Sequence, residues 1–321
     1  MSGDAGIGRQ ACLRGMCESS REGSSPFLRT KLSRTERCGF LLSKNFALYL
    51  MSTGYATIVS GREMEMLKSA IYGLAVGDAL GVPYEFTERE SFICDSMTGY
   101  GTWNKAPGTW SDDTSMTLAT LDSLKEKGRV DCEDMRERFC SWLYEDAYTA
   151  ENETFDVGTT TRMALQSGEG LFDYFSNGNG SLMRILPLAF FDVTDEEIKK
   201  VSAITHGHEL SMNACVEYVH LARHLIKGKE IKEEEIRNKP MEEIESSGFV
   251  RHTLEASIWC LLNTSSYSEA VLTAVNLGGD TDTTAAVTGG LAGILYGYKA
   301  IPRGWIATLK NKECINSILN K

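Results

Sequence analysis

The sequence predicts an all-α protein, and three observations lead there. Its 321 residues include only six prolines, where about 5% is usual, and proline is the residue that interrupts helix interiors. Apolar residues recur at three- and four-residue spacing from Met64 onward, the period of an amphipathic helix. Convincing alternating strands are absent. Hydrophobic residues make up 42% of the chain, enough for one sizeable core. A single compact multi-helix domain over 63–321 is therefore expected.

The first 62 residues stand apart. They are rich in Ser, Arg and Gly, show no sustained period, and carry nine Lys/Arg against four Asp/Glu. The stretch Phe46–Val59 is apolar only in places and too short to span a bilayer. A secretory signal would place such a stretch at the start. The Arg/Ser bias resembles an organelle transit peptide, although Glu18, Glu22 and Glu36 count against that. A disordered extension, or upstream sequence from a mis-called start with Met64 or Met66 as the alternative, is the reading preferred here. A cytoplasmic protein is expected.

The helical pattern then runs in order. Met66, Leu67, Ala70, Ile71, Leu74 and Ala75 form the first stripe. Met116, Leu118, Ala119, Leu121 and Leu124 form the second, closed by Lys127-Gly128, a helix-stop signal. Residues 133–148 follow, with Met135, Phe139, Trp142 and Leu143 on one face. Asn213–Lys227 carries Cys215, Val216, Val219, Ala222, Leu225 and Ile226 and again stops at Lys-Gly. Residues 252–263, 267–276 and 283–299 read the same way. The charged run 229–247 predicts a solvated helix or loop. Four segments break the pattern: 77–86, 108–115, 177–187 and 278–284.

Charge and cysteine usage exclude several functions. Residues 63–321 hold 24 Lys/Arg against 40 Asp/Glu, which disfavours phosphate-driven nucleic-acid binding. Nine scattered cysteines without a CxxC pair suggest neither a zinc site nor a disulfide framework. His220 and His224 are four apart on a helix, but no nearby acid completes a metal motif, so they read as structural.

Two acidic clusters sit at helix starts. In Gly108-Thr109-Trp110-Ser111-Asp112-Asp113-Thr114, an N-cap explains one acid, or two through the helix dipole. It has no use for a hydroxyl, two adjacent carboxylates and a second hydroxyl in sequence. Gly278-Gly279-Asp280-Thr281-Asp282-Thr283-Thr284 repeats the arrangement before another apolar helix, with no Lys or Arg alongside. Unpaired carboxylates on apolar elements are costly unless a cation compensates them. Oxygen-only ligands favour Mg²⁺, Mn²⁺ or Ca²⁺ over zinc. For either cluster alone, capping and metal binding stand level; the pair favours metal binding.

At this point the sequence resembles the ADP-ribosylglycohydrolase family, from about Met66 to Gly297. The resemblance rests on five segments in order: GLAVGDALGVPYEF (73–86), GTWSDDTSM (108–116), FDVGTTTR (155–162), NGNGSLMRILPLA (177–189) with THGHELS (205–211), and NLGGDTDTTAAVTGGLAG (276–293). It implies an all-α, ADP-ribosylglycohydrolase-like fold with a binuclear site holding two divalent cations, Mg²⁺ or Mn²⁺. Ser111, Asp112, Asp113, Asp280, Asp282 and Thr283 match the ligands; the family often has Thr where this chain has Ser111. Glu85 matches an acid beside the metals and the scissile bond. Asp156 matches an acid implicated in holding the modified side chain. Asn179, Gly180, Ser181, Leu182, Met183 and Arg184 match the loop against the ADP-ribose, and His206 a histidine near the diphosphate. Read without the family, Glu85 is a solvated acid after a helix, Asp156 an N-cap near Thr160, and His206 an ordinary loop histidine.

The resemblance implies hydrolysis of an N- or O-glycosidic bond at the anomeric carbon of ADP-ribose, with Glu85, Asp113 and Asp156 as catalytic residues. The expected substrate is an ADP-ribosylated protein, with arginine slightly favoured, or an ADP-ribose-containing small molecule. Nucleic acid enters only as an ADP-ribosylated substrate, no membrane is involved, and a monomer is expected. The competing class is a non-catalytic ADP-ribose or nucleotide sensor. A phosphohydrolase on an acidic helical scaffold is a third, and the absence of a His-Asp dipeptide counts against it. Deleting residues 1–60 is expected to leave turnover intact; a truncated chain that folds yet loses activity would overturn the division at residue 62.

Overall fold

The computed structural model describes residues 61–321; the extension expected over 1–62 lies, up to residue 60, outside the described residues. Twelve α-helices and a few 3₁₀ turns account for the described architecture, and isolated bridges replace strands throughout it. The elements are α1 (Gly61–Gly81), α2 (Asp112–Lys127), α3 (Cys132–Glu145), α4 (Thr159–Ser167), α5 (Asp195–Ser202) and α6 (Glu209–Ile226). They continue with α7 (Glu234–Arg237), α8 (Val250–Leu262), α9 (Tyr267–Asn276), α10 (Thr281–Tyr296), α11 (Arg303–Thr308) and α12 (Lys312–Leu319).

Their ends follow local chemistry. Pro83, in the 3₁₀ turn after α1, has no N–H to continue that helix. Gly128 takes φ 65° and closes α2, as a left-handed C-terminal glycine does. Asp146 at φ 58° ends α3 three residues before the predicted boundary. Thr194 and Glu197 form a reciprocal capping box on α5. The short helices α5, α11 and α12 were beyond the reach of periodicity. The charged run 229–247 forms only α7 and one 3₁₀ turn, largely exposed.

The centre of the fold is the pair α1 and α10. From Ala70 to Gly81 every residue of α1 is buried, as is every residue of α10 from Thr281 to Ile294. Two helices so enclosed read as apolar all round, with small residues where they touch. A Cβ on Gly73 would lie 2.3 Å from the Gly289 carbonyl oxygen, one on Gly77 2.1 Å from that of Ala285, and one on Gly81 2.3 Å from the Asp282 Cα. From the other side, a Cβ on Gly293 would lie 2.2 Å from the Ser69 carbonyl oxygen. The backbones therefore meet directly. Segment 77–86, expected to break the helix, stays helical to Gly81 because its glycines are contact residues. Hydroxyls secure the seam: Tyr267 donates to the Gly73 carbonyl at 2.7 Å and Thr281 to that of Gly81 at 2.8 Å.

This geometry carries a stability prediction. Gly77→Ala should cost about 2–4 kcal/mol in urea unfolding, because backbone against backbone has no flexible side chain to yield. Gly304→Ala, where nothing lies within 4 Å of the new methyl, should be neutral; equal effects at both positions would refute close packing as the cause.

Candidate active site

The helix pair delivers acids to one place. Asp78, one turn before the end of α1, is wholly buried. Its carboxylate accepts from Ser111 N at 2.9 Å, Thr114 N at 3.0 Å and Thr114 Oγ1 at 2.6 Å. It thus binds the unsatisfied N–H groups at the start of α2 from a different helix. Ser111, the formal N-cap, accepts from Asp113 N at 3.4 Å and donates to Asp113 Oδ2 at 3.0 Å. Capping here does not compete with site chemistry, because Asp78 does most of it and leaves Asp113 facing α10.

At the start of α10, Gly278 and Gly279 take φ 72° and 71°. A Cβ on Gly279 would meet the Ser246 carbonyl oxygen at 2.5 Å, so only glycine fits this turn. Asp280 occupies the N-cap position without a side-chain cap bond; its Oδ2 accepts instead from Asn179 Nδ2 at 2.9 Å. Thr283 donates to Asp113 Oδ2 at 3.3 Å, tying the two acidic segments together. Asp78, Asp113 and Asp282 each offer a carboxylate oxygen within 4.8 Å of the others, and so do Glu85, Asp280 and Asp282.

Burial without basic partners raises these carboxyls. Asp78 is pushed up to about 7 by burial, against the pull of its three donors. Asp112 lies well above the usual carboxylate range through burial and the charges of Asp156 and Asp113. Asp113 does so through burial and Asp78, Asp282 through burial and Glu85, and burial also raises Asp280. Glu85, 3% exposed and so not the solvated acid of the simpler reading, is raised to about 9 by burial and then by the Asp156 charge. Asp156, at φ 51°, is raised to about 6 by burial. It does not cap α4, whose N-cap is Gly158.

Above this nest opens a cavity of about 220 Å³ lined by Glu85, Asp112, Asp156, Asp280 and Thr283 on one side. Thr159–Thr161, Gly178, Asn179, Gly180, Met183, His206 and Gly248 line the other. Ser111, Asp113 and Asp282 are buried and do not line the cavity. His206 is buried, with Nδ1 2.8 Å from Thr205 Oγ1. Burial, aided by the Arg184 charge, lowers it to about 3, so it is neutral. A Cβ on Gly180 would lie 2.9 Å from His206 Cε1, which explains the glycine. Ser181 and Arg184 are not on the cavity wall. Ser181 accepts from Ser202 Oγ at 2.9 Å, and Arg184 stacks 4.4 Å from the Phe139 ring centroid while donating to Thr205 Oγ1 at 2.9 Å. Arg184 therefore supports His206 from behind.

Sequence reasoning missed Asp78, Trp103 and Gly248. For Asp78 a signal existed: a lone carboxylate inside an apolar helix with no basic residue one turn away. Gly248 has none, since it reaches the cavity only through tertiary folding. A wider groove of about 1030 Å³ between α6 and α8 is lined by Lys229, Glu230, Lys232 and Glu233. Its charges are mixed and solvated, and His220 there pairs with Asp195 at 2.7 Å.

A recessed polar cavity lined by buried carboxylates suits either cation binding or acid–base catalysis. Comparison with known proteins identifies the family. The chain belongs to the ADP-ribosylglycohydrolase family, whose sequence model matches residues 62–321, and it is accordingly a hydrolase of glycosidic bonds. It is 33% identical over 298 residues to ADP-ribosylarginine hydrolase Tri1 of Serratia proteamaculans, covering 84% of this chain and 81% of that protein. It is 34% identical over 270 residues to ADP-ribosyl-[dinitrogen reductase] glycohydrolase of Rhodospirillum rubrum, covering 76% and 90%. A solved ADP-ribosylglycohydrolase-related protein complex superimposes with TM-score 0.67 at 29% identity, over 80% of this chain and 96% of that one. No helix among the described residues is long and apolar enough to cross a membrane.

The raised carboxyls set a pH dependence. With chelator present, folded values of about 6, 7 and 9 for Asp156, Asp78 and Glu85 exceed the roughly 4 of unfolded carboxylates. The folded chain then holds more protons than the unfolded one, so its stability is greatest at the acidic end and falls as pH rises through these values. Asp134, lowered to about 2 by its partners, acts in the opposite sense below this window, and His206, lowered to about 3, opposes the decline only up to about pH 6.5, where the several raised carboxyls outweigh it. The Tm in EDTA should decline steadily from about pH 5 to pH 9; a Tm that climbs across that range would contradict the buried acidic nest.

Proposed function

We propose that this chain is a divalent-cation-dependent ADP-ribosylglycohydrolase that releases ADP-ribose from a protein side chain, arginine above others. One observation carries the proposal. Asp113 Oδ1, Asp280 Oδ1 and Asp282 Oδ2 are buried carboxylate oxygens without a hydrogen-bond partner, in the two clusters whose oxygens converge within 4.8 Å. Buried polar atoms are almost always satisfied, and three orphan carboxyl oxygens in converging clusters call for cations. The set is all oxygen, which suits Mg²⁺ or Mn²⁺. Asp112, Asp113, Asp280 and Asp282 would hold two such ions, with Ser111 and Thr283 offering hydroxyl oxygens. Bound there, a divalent cation supplies charge compensation and Lewis acidity.

The remaining steps belong to the chain. The cavity's far wall suits the anionic end of ADP-ribose: α4 begins with no side-chain cap, and uncapped helix N–H groups attract phosphate. Gly178 and Gly180 allow backbone approach there, and neutral His206 offers Nε2. The acidic wall suits the other end. Asp156 presents a carboxylate where a guanidinium would lie, a pairing that is strong and geometrically selective, with the Glu85 carboxyl beside it. As the bond from the anomeric carbon to the acceptor breaks, positive charge develops on the sugar and the carboxylates stabilise it. In its protonated form Glu85 is placed to give its proton to the departing nitrogen, and its carboxylate then takes the proton shed by the water whose oxygen adds to the anomeric carbon. The arginine preference also follows the relatives, one named an ADP-ribosylarginine hydrolase.

The test is release of free ADP-ribose from arginine-ADP-ribosylated protein with Mg²⁺, with Mn²⁺ and with EDTA. Turnover that EDTA abolishes is expected; ADP-ribose that binds tightly with no release under any condition would point instead to a sensor. Asp113→Asn and Asp282→Asn should each lower kcat by about 10³-fold or more with the helical circular dichroism spectrum intact. Both variants should be more thermostable than wild type in EDTA, since each removes a buried carboxyl whose ionisation folding must suppress. Full activity in either would sink the assignment.

A further inference from the structure

Trp103 lies outside every segment discussed so far and touches two of the acids' carriers. Its indole Nε1 donates to Glu85 Oε2. Its ring lies 5.6 Å, centroid to centroid, from that of Phe155, the neighbour of Asp156. Beside it, Thr102 Oγ1 donates to the Glu85 backbone carbonyl at 2.7 Å. One short loop thus holds Glu85 by its main chain and its carboxyl, and braces the segment bearing Asp156.

The loop is built for that purpose at a conformational cost. Tyr100 and Asn104 are non-glycine residues at φ 64° and 52°, and Gly101 sits at φ 60°. A Cβ on Gly101 would lie 1.8 Å from the Pro83 carbonyl oxygen, so the loop presses on the 3₁₀ turn that leads to Glu85. Tyr100 N to the Lys105 carbonyl at 2.5 Å and Asn104 N to that of Gly101 at 3.2 Å close it. Strained backbone that the surroundings keep in place tends to mark functional sites. Core packing does not account for Trp103 either: it is half-buried between exposed Thr102 and Asn104. The 153–157 segment is held at Thr154, which donates to Asp146 Oδ1 at 2.9 Å and to the Trp142 carbonyl at 2.8 Å, while Lys105 lies over the Phe155 ring at 4.7 Å and pairs with Glu153 at 2.7 Å.

We propose that Trp103 is a positioning residue for the hydrolysis: its N–H fixes the Glu85 carboxyl toward the cavity while its ring sets the depth of Phe155 and hence of Asp156. The catalytic part of this inference rests on the function proposed above; the contact itself does not. Without the indole N–H, the Glu85 carboxyl is free to rotate, and a misplaced proton donor lowers turnover more than binding.

The experiment has two arms, both on the full-length chain. In the first, ¹⁵N-labelled indole signals are recorded; the chain has five tryptophans, and Trp103→Phe identifies the one in question. Glu85→Ala should move that signal and leave the other four nearly in place. In the second, Trp103→Phe keeps an aromatic ring against Phe155 but deletes the N–H. It should lower kcat roughly 10- to 100-fold, with KM and Tm close to wild type. An indole signal indifferent to Glu85→Ala overturns the inference whatever the activity. Wild-type kcat in Trp103→Phe overturns it too, as does a joint collapse of kcat, KM and Tm, which would mean a structural role. Failure of wild type to release ADP-ribose would refute the proposed function, and the moved indole signal would still uphold the contact.

Discussion

Everything in this protein's site depends on two helix backbones being allowed to touch. Glycines and alanines on facing sides of α1 and α10 bring the chains within a carbonyl's reach of each other. That seam ends at Gly81 against Asp282, the level at which the acids begin. Larger residues would hold the helices apart and draw the carboxylate oxygens out of the 4.8 Å within which they now gather. Small-residue contact is thus a condition for charge convergence as well as packing.

The same seam decides how much negative charge the fold tolerates. The cavity lining holds no Lys or Arg, and burial together with the charges of the neighbouring acids drives the carboxyls up. Asp78 is the exception that organises the others: three donors from the start of α2 satisfy it. It serves as an external cap, fixing where α2 begins relative to α1 and so where Asp112 and Asp113 project. Asn179 plays a comparable part for Asp280, joined also to Thr253 at 2.9 Å. The orphan oxygens that remain are those left over when each acid has been oriented by a neighbour.

Much of this was legible in the sequence, for physical reasons that differ by element. The long helices announced themselves because their apolar stripes repeat over several turns; α5, α11 and α12, at eight residues or fewer, complete too few turns to show one. SDDT and DTDT were visible because consecutive oxygens exceed what capping requires. Asp78 was not read as a site residue: a lone acid inside the apolar GLAVGDALG was visible, but the partners that give it a role lie 33 and 36 positions away. The loop 177–184 was recognised as a unit, but which side chains face the cavity could not be. Met183 does and Arg184 does not, a distinction set by how the loop lies on α5 and His206. Trp103 was silent for a related reason: its role exists only through Glu85 and Phe155, which folding brings to it.

The hydroxyl of Thr281 and the carbonyl of Gly81 that lock the seam are 200 positions apart in the chain. Contacts so remote in sequence form only after a large loss of chain freedom, and they slow folding accordingly. During synthesis, the acids of the first half emerge long before the glycines and acids of α10 that complete the nest. A nascent chain therefore has no assembled pocket in which to trap a cation or a nucleotide prematurely. The enzyme's competence is withheld until its last major helix has docked.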